Sequence, residues 1–157
     1  MRYRYFEAFY GFSPTMSYIA VSKSARAKLD RMAEELLRSG DLIAIYVPIG
    51  SDPCYPAAKG LGGRVVGSVR LIPMPLAGSV EDYFHDDPVT GQRRWPIGWP
   101  CEVVDAPPTE HQPMLRDLVH KVYNGKVDFS AYTDSFRTGP FKISRDMSAA
   151  IARCFLG

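Results

Sequence analysis

Apolar residues recur at Leu29, Met32, Ala33, Leu36 and Leu37, the i, i+3, i+4, i+7, i+8 spacing of a single helix face. The pattern predicts a helix over 24–38, with Ser22 or Ser24 available as N-cap and Gly40 as its stop. Lys28, Arg31, Glu34, Glu35 and Arg38 fall on the opposite, solvated face. After Asp41 the period changes. Residues 42–47, Leu-Ile-Ala-Ile-Tyr-Val, are continuously apolar, as expected of a strand buried on both sides, and Pro48 ends its capacity to pair.

Further strands are predicted at Tyr5 to Phe9, at 64–71 and at 97–104; in the second, Gly67 marks a bulge, a bend or the close approach of another backbone. Ile49 to Gly63, with Pro53, Pro56 and glycines at 50, 60, 62 and 63, reads as a long loop. Thr109 can cap a helix with the apolar face Leu115, Leu118, Val119 and Val122, stopped by Asn124-Gly125. Tyr132 to Thr138 reads as a last extended piece, and Ser144 can cap a helix through Met147, Ile151, Cys154 and Phe155. Short strands, few helices and many turns predict a β-rich α+β fold.

Composition adds limits. A chain of 157 residues fits one domain and can bury a core without metal or disulfide. Cys54, Cys101 and Cys154 are odd in number and far apart, which predicts free thiols, and His85 beside Asp86 and Asp87 reads as a solvated turn rather than a metal site. No apolar run approaches the roughly 20 residues of a membrane span, and the N-terminus lacks the apolar stretch of a signal peptide, which predicts a cytoplasmic protein with no membrane partner. No cofactor motif is present: Gly60-Leu61-Gly62-Gly63 lacks the Lys and Ser/Thr of a phosphate cradle and reads as a mobile loop.

Net charge is +2, yet residues 1–80 carry ten Lys/Arg against six Asp/Glu, and 81–157 carry nine against eleven. Lys23, Arg26, Lys28 and Arg31 lie within nine residues, enough for local attraction to phosphates. Both tryptophans fall in Arg94-Trp95-Pro96-Ile97-Gly98-Trp99, where an aromatic face beside a cation suits a planar ligand and equally suits the sealing of a barrel end.

These pieces, in this order, resemble the EVE domain of the PUA-like superfamily, related to YTH domains. The resemblance rests on Ala20-Val21-Ser22-Lys23-Ser24-Ala25-Arg26 as the loop entering the first helix, Gly40-Asp41 with the strand after it, Val65-Val66-Gly67-Ser68-Val69, and Arg94-Trp95-Pro96. It implies an α+β fold with a small bent PUA-like β-barrel flanked by helices, whose pocket holds a flipped, often modified base of DNA or RNA, without catalysis. By family position Ser22, Lys23, Ser24, Tyr46 and Trp95 become pocket candidates, joined by Arg94 as a phosphate clamp and by Arg26 and Lys28 along the nucleic-acid backbone. A second aromatic is expected among Tyr10, Phe12 and Tyr18. The residues also allow plainer roles: helix caps for the serines, core packing for Tyr46, stacking on a neighbour for Arg94. Two other functions stay open, an ASCH-like hydrolase centred on Lys23 with Ser22, Ser24 and Glu102 or an acid from 81–87, and an interaction module of a toxin-antitoxin or restriction system.

Overall fold

The computed structural model describes residues 1–49, 58–88 and 90–157. Its centre is a six-stranded mixed sheet with strands β1 (Tyr3–Ala8), β2 (Tyr18–Val21), β3 (Leu42–Tyr46), β4 (Val65–Leu71), β5 (Ile97–Asp105) and β6 (Phe141–Lys142), in the order β2-β5-β4-β3-β1-β6. The helices are α1 (Arg26–Ser39), α2 (Leu115–Val122), α3 (Phe129–Asp134) and α4 (Arg145–Leu156). The class is α+β as expected. The closed barrel is not: β2 pairs with β5 alone, β6 covers β1 only at Tyr5 and Phe6, and the two ends of the sheet order share no ladder.

β3 shows why its sequence is apolar throughout. Ile43, Ile45 and Val47 point to one layer with Leu29, Met32, Ala33 and Leu36 of α1, while Leu42, Ala44 and Tyr46 point to the other, with Leu115, Leu118 and Val119 of α2 and Met147 and Ile151 of α4. Alternation on a strand sends successive side chains to opposite faces, so a strand between two helical layers has no polar position to spare. Full burial of an isoleucine contributes about 1.5–3 kcal/mol.

Bulges tune which face each residue meets. Arg4 is the extra residue of β1 between the pairs Tyr3 with Leu42 and Tyr5 with Ile43. In a regular strand Tyr3 and Tyr5, two residues apart, would share a face; the bulge sends Tyr3 to the α2/α4 layer and Tyr5 to the α1 layer. Val66 is the extra residue of β4 opposite β3, beside the expected bend at Gly67, where an added Cβ would strike the Phe12 ring and the Asp105 carbonyl. Arg4 also donates from Nε to Asp41 at 2.6 Å and from a terminal nitrogen to Glu35 at 3.1 Å, tying β1 to the end of α1. Burial works to raise the Asp41 carboxyl, but hydrogen bonds from the Arg4 side chain and the Arg2 amide outweigh it and hold the group below its usual range.

Caps depart from expectation at two helices. Residues 23–25 form a 3-10 turn ahead of α1, the N-cap position of α1 is Ala25, and neither Ser22 nor Ser24 caps a backbone amide. Thr109 opens a separate 3-10 turn, and α2 starts after Met114. Gly40 does stop α1, at φ 73° with its N–H on the Leu36 carbonyl, and the Ser144 side chain does cap α4, accepting from the Met147 amide at 3.1 Å. Gly63, expected in a mobile loop, is held instead: its N–H donates to Val47 and its carbonyl accepts from Leu115. The stretch 50–57 of that expected loop lies outside the described residues, as does Cys54; Cys101 and Cys154 are free thiols.

Tyr132 to Thr138 is not extended. Asp128 caps α3 by accepting from the Ala131 amide at 3.0 Å, and a 3-10 turn follows over Ser135–Thr138. Phe129, Tyr132 and Phe136 stand at helical spacing, and the rings of Tyr132 and Phe136 pack 6.5 and 5.8 Å from that of Phe6. Tertiary packing of these aromatics decides the segment, since alternation also fits Tyr132 and Phe136, four residues apart. Among the described residues no helix is long and apolar enough to cross a membrane.

β5 changes partner midway: residues 97–100 pair with β2, and 101–105 with β4. Pro100, without an N–H, sits at the changeover, and Gly98 lies so close to the carbonyls of Ile19 and Tyr83 that a Cβ has no room. We therefore expect Gly98→Ala to destabilise the protein by about 1–3 kcal/mol through overpacking against backbone. Its midpoint in urea checks this; an unchanged midpoint would mean that the close strand approach is not needed.

Candidate functional site

A cavity of about 730 Å³ opens where the sheet fails to close. Glu7 and Ala8 line it from the end of β1 left bare by β6, Val21 and Ser22 from the end of β2, and Tyr46 and Pro48 from the end of β3. Phe129 and Phe136 supply the wall on the α3 side. The cavity is thus a product of the missing ladder.

Trp95 reaches the cavity on a short two-armed segment. His85 and Trp95 exchange backbone hydrogen bonds of 2.8 and 3.3 Å, Arg93 pairs with Asp86 at 3.1 Å, and Arg94 pairs with Asp87 at 3.2 Å. The acidic stretch after 80 and the Arg-Trp stretch, separate features of the sequence, are therefore the two arms of one element. Rings surround the tryptophan: Tyr10 at 6.0 Å and His85 at 5.4 Å between centroids, with the Arg94 guanidinium 5.1 Å from the Trp95 ring. Arg94 stacks near Trp95, the plainer of its two expected roles, and it also pairs with Asp87 and lines the cavity.

Of the sequence candidates, Ser22, Tyr46, Arg94 and Trp95 line this cavity. Lys23, Ser24, Arg26 and Lys28 do not. Ser24 shares a hydrogen bond of 3.1 Å with Ser22, Arg26 is paired with Glu81 at 2.8 Å, and Lys28 donates to Thr138 at 2.6 Å, beside a second cavity formed with Arg31, Glu35 and Lys142. Tyr46 is nearly buried, and its ring stacks 4.8 Å from Phe136, so it belongs to core and cavity wall together; burial pushes its hydroxyl upward. Among the three aromatics considered, Tyr10 lines the cavity, Phe12 is core against Gly67, and Tyr18 packs on Tyr83. Trp99 is held by its indole N–H on the Ile72 carbonyl at 2.8 Å. For the hydrolase alternative, Glu102 is paired with Arg70 and Glu81 with Arg26, while Lys23 makes no ion pair among the described residues. The described residues hold no group of His, Cys, Asp and Glu able to bind a metal ion.

The sequence reading missed Glu7, Arg116 and Arg137. Arg116 stands over the Phe129 ring at 4.5 Å, Arg137 pairs with Asp134 at 3.5 Å, and both are exposed at the cavity. Glu7 is the unusual one. It is 4% exposed, and among the described residues its Oε2 has no hydrogen-bond partner and the side chain makes no ion pair. An unsatisfied buried polar group costs about 1–3 kcal/mol, and burial pushes this carboxyl well above its usual range. A signal was available: Glu7 is the one charged residue in the apolar run Tyr5 to Phe9, whose same-face neighbours Tyr5 and Phe9 are core.

No protein-family model, curated protein or solved structure matches the chain.

A carboxyl whose pKa is raised by folding binds its proton more tightly in the native state, so its contribution is fully present below the unfolded pKa and is lost as pH rises toward the folded value. Glu7→Gln removes this titration. The other titratable groups on the cavity wall, Tyr10, Tyr46, Arg94, Arg116, Asp134 and Arg137, are the same in both proteins. The variant should gain stability relative to the parent as pH rises above about 4.5, by up to about 1.4 kcal/mol per unit until the folded pKa is passed. Urea midpoints of both proteins between pH 4 and 8 measure the difference; a constant gap across that range would show that Glu7 does not titrate abnormally.

Proposed function

We propose that the protein binds nucleic acid without catalysis, taking a single unstacked base, modified bases included, into the cavity beside Trp95. The observation that carries this reading is the convergence on one cavity of an aromatic face, Trp95 with Tyr10, and three exposed guanidinium groups, Arg94, Arg116 and Arg137. Its volume falls in the usual range of about 300–1,000 Å³ for small-molecule sites, large enough for a base with its sugar. A base outside its stack has two apolar faces and a polar edge, and an indole beside a phenol ring suits the first. The arginines suit the phosphates on either side, where a planar fork binds two oxygens at once. The resemblance to the EVE domain points to the same pocket. The finer fold reading, a bent PUA-like barrel with one seam left open, is part of this proposal.

Fluorescence anisotropy with labelled single- and double-stranded oligonucleotides, methylated and not, tests it. Trp95→Ala should weaken binding by about 1–3 kcal/mol, the contribution of stacking one base on an aromatic residue. Trp99→Phe, which removes the indole N–H bonded to Ile72 and part of the ring area packed on the core, should leave affinity unchanged and cost at least about 0.5–1.5 kcal/mol of stability. Neutralising two to four phosphates gives a slope of log affinity against log salt between about −1.5 and −3.5. Absence of binding at low salt would sink the proposal.

A further inference from the structure

Resting on the base-pocket reading above, we infer that Glu7 is a specificity-determining residue, whose carboxyl pairs through one O–H and one C=O with the amino-bearing edge of cytosine or adenine. Stability alone would place an apolar side chain here. Glu7 faces the same side of β1 as Tyr5 and Phe9, both core, and its Oε2 is buried with no hydrogen-bond partner among the described residues while the side chain forms part of the cavity wall. Buried polar groups are generally hydrogen-bonded, so a carboxyl that finds no partner among the described residues is suited to one that enters the cavity. The strand holds it in position, since Glu7 is opposite Ile45 in the parallel β1/β3 ladder, and a reader on a strand is placed more accurately than one on a loop.

The chemistry of the edge follows from the chemistry of the acid. In its neutral form, favoured by burial without a counter-charge, a carboxyl presents a donor and an acceptor side by side. Cytosine N3 with its 4-amino group, and adenine N1 with its 6-amino group, present the matching acceptor and donor. In both, the acceptor is a basic ring nitrogen, a stronger partner for a carboxylic O–H than the carbonyl oxygens of thymine, uracil or guanine. Guanine's adjacent N1–H and 2-amino donors call for an ionised carboxylate, which this site disfavours. A methyl group on cytosine C5, or a single one on the exocyclic nitrogen, leaves one N–H for the pair, so the same contact accepts those modified bases.

The test uses labelled DNA and RNA strands in which one C, A, T (U) or G stands among abasic residues, with the parent protein, Glu7→Gln, Glu7→Leu and Trp95→Ala, each first shown to melt cooperatively. The parent should bind the C and A strands about 10- to 100-fold more tightly than the others, the discrimination of a bidentate base contact. Glu7→Gln, a permanently neutral isostere with the same acceptor and a donor, should keep that preference, while Glu7→Leu should bind every strand within about twofold. A strand carrying N6,N6-dimethyladenine, with no N–H left, should bind like T. The inference is overturned if the parent shows no preference, if Glu7→Leu keeps it, or if Glu7→Gln loses it. Binding of all strands that Trp95→Ala weakens, with no effect of Glu7, would leave the base pocket standing and remove only this inference. If no strand binds, the base pocket itself fails and this inference goes with it.

Discussion

The approach of three backbones at Gly98 is the constraint on which the site depends. β5 serves β2 with its first half and β4 with its second, so the sheet must bend sharply at the changeover. A side chain at Gly98 would collide with two carbonyls, and an N–H at position 100 would seek a ladder partner just where the partner changes. Glycine and proline satisfy both demands. The bend carries β2 round so that Val21 and Ser22 face the free end of β1, and the gap left between them is the cavity.

The interior is organised around β3 and its two helical layers, which keep the ends of β1 and β3 fixed beside that gap. The connection from β1 to its parallel neighbour β3 needs a crossover, and β2 with α1 supplies it. The same crossover places β2, and hence one wall of the cavity, on the path between the two central strands. Position and access are therefore set by one piece of chain, so packing of α1 and geometry of the cavity are not independent.

Polar groups divide into those that hold the frame and those left for the cavity. Asp41, Glu35 and the Tyr5 hydroxyl, which burial and the Glu35 carboxylate push up to about 12, are tied into a network with Arg4. Asp105 accepts from Tyr3 and Ser68 where β4 meets β5. Asp86 and Asp87 fasten the two arms that present Trp95. Among the described residues Glu7 has no such bond or ion pair, and that contrast gives it weight. A buried acid that secures nothing lowers stability without structural return.

Periodicity by itself determined the elements whose burial is regular: α1 from Leu29 to Leu36 with its stop at Gly40, the two-sided strand β3, the capped α4, and the strands on either side of the Trp stretch. Those features are local, since one face of a helix or one strand between two layers leaves its mark on consecutive residues. The cation beside an aromatic face at Arg94 and Trp95, and the family resemblance for Ser22, named as candidates three residues that line the cavity. Closure of the sheet, the helical state of 129–138 and the membership of the cavity wall were decided by tertiary contacts. Whether two edge strands pair depends on bends and bulges that single residues such as Arg4, Val66 and Gly98 introduce far from the seam. For the same reason Arg26 and Lys28, conspicuous as a basic cluster, turn to Glu81 and Thr138, while Arg116 and Arg137, unremarkable in sequence, are brought to the cavity by the first turn of α2 and by the 3-10 turn after α3. Charge along the chain counts residues, and only the fold assigns them partners.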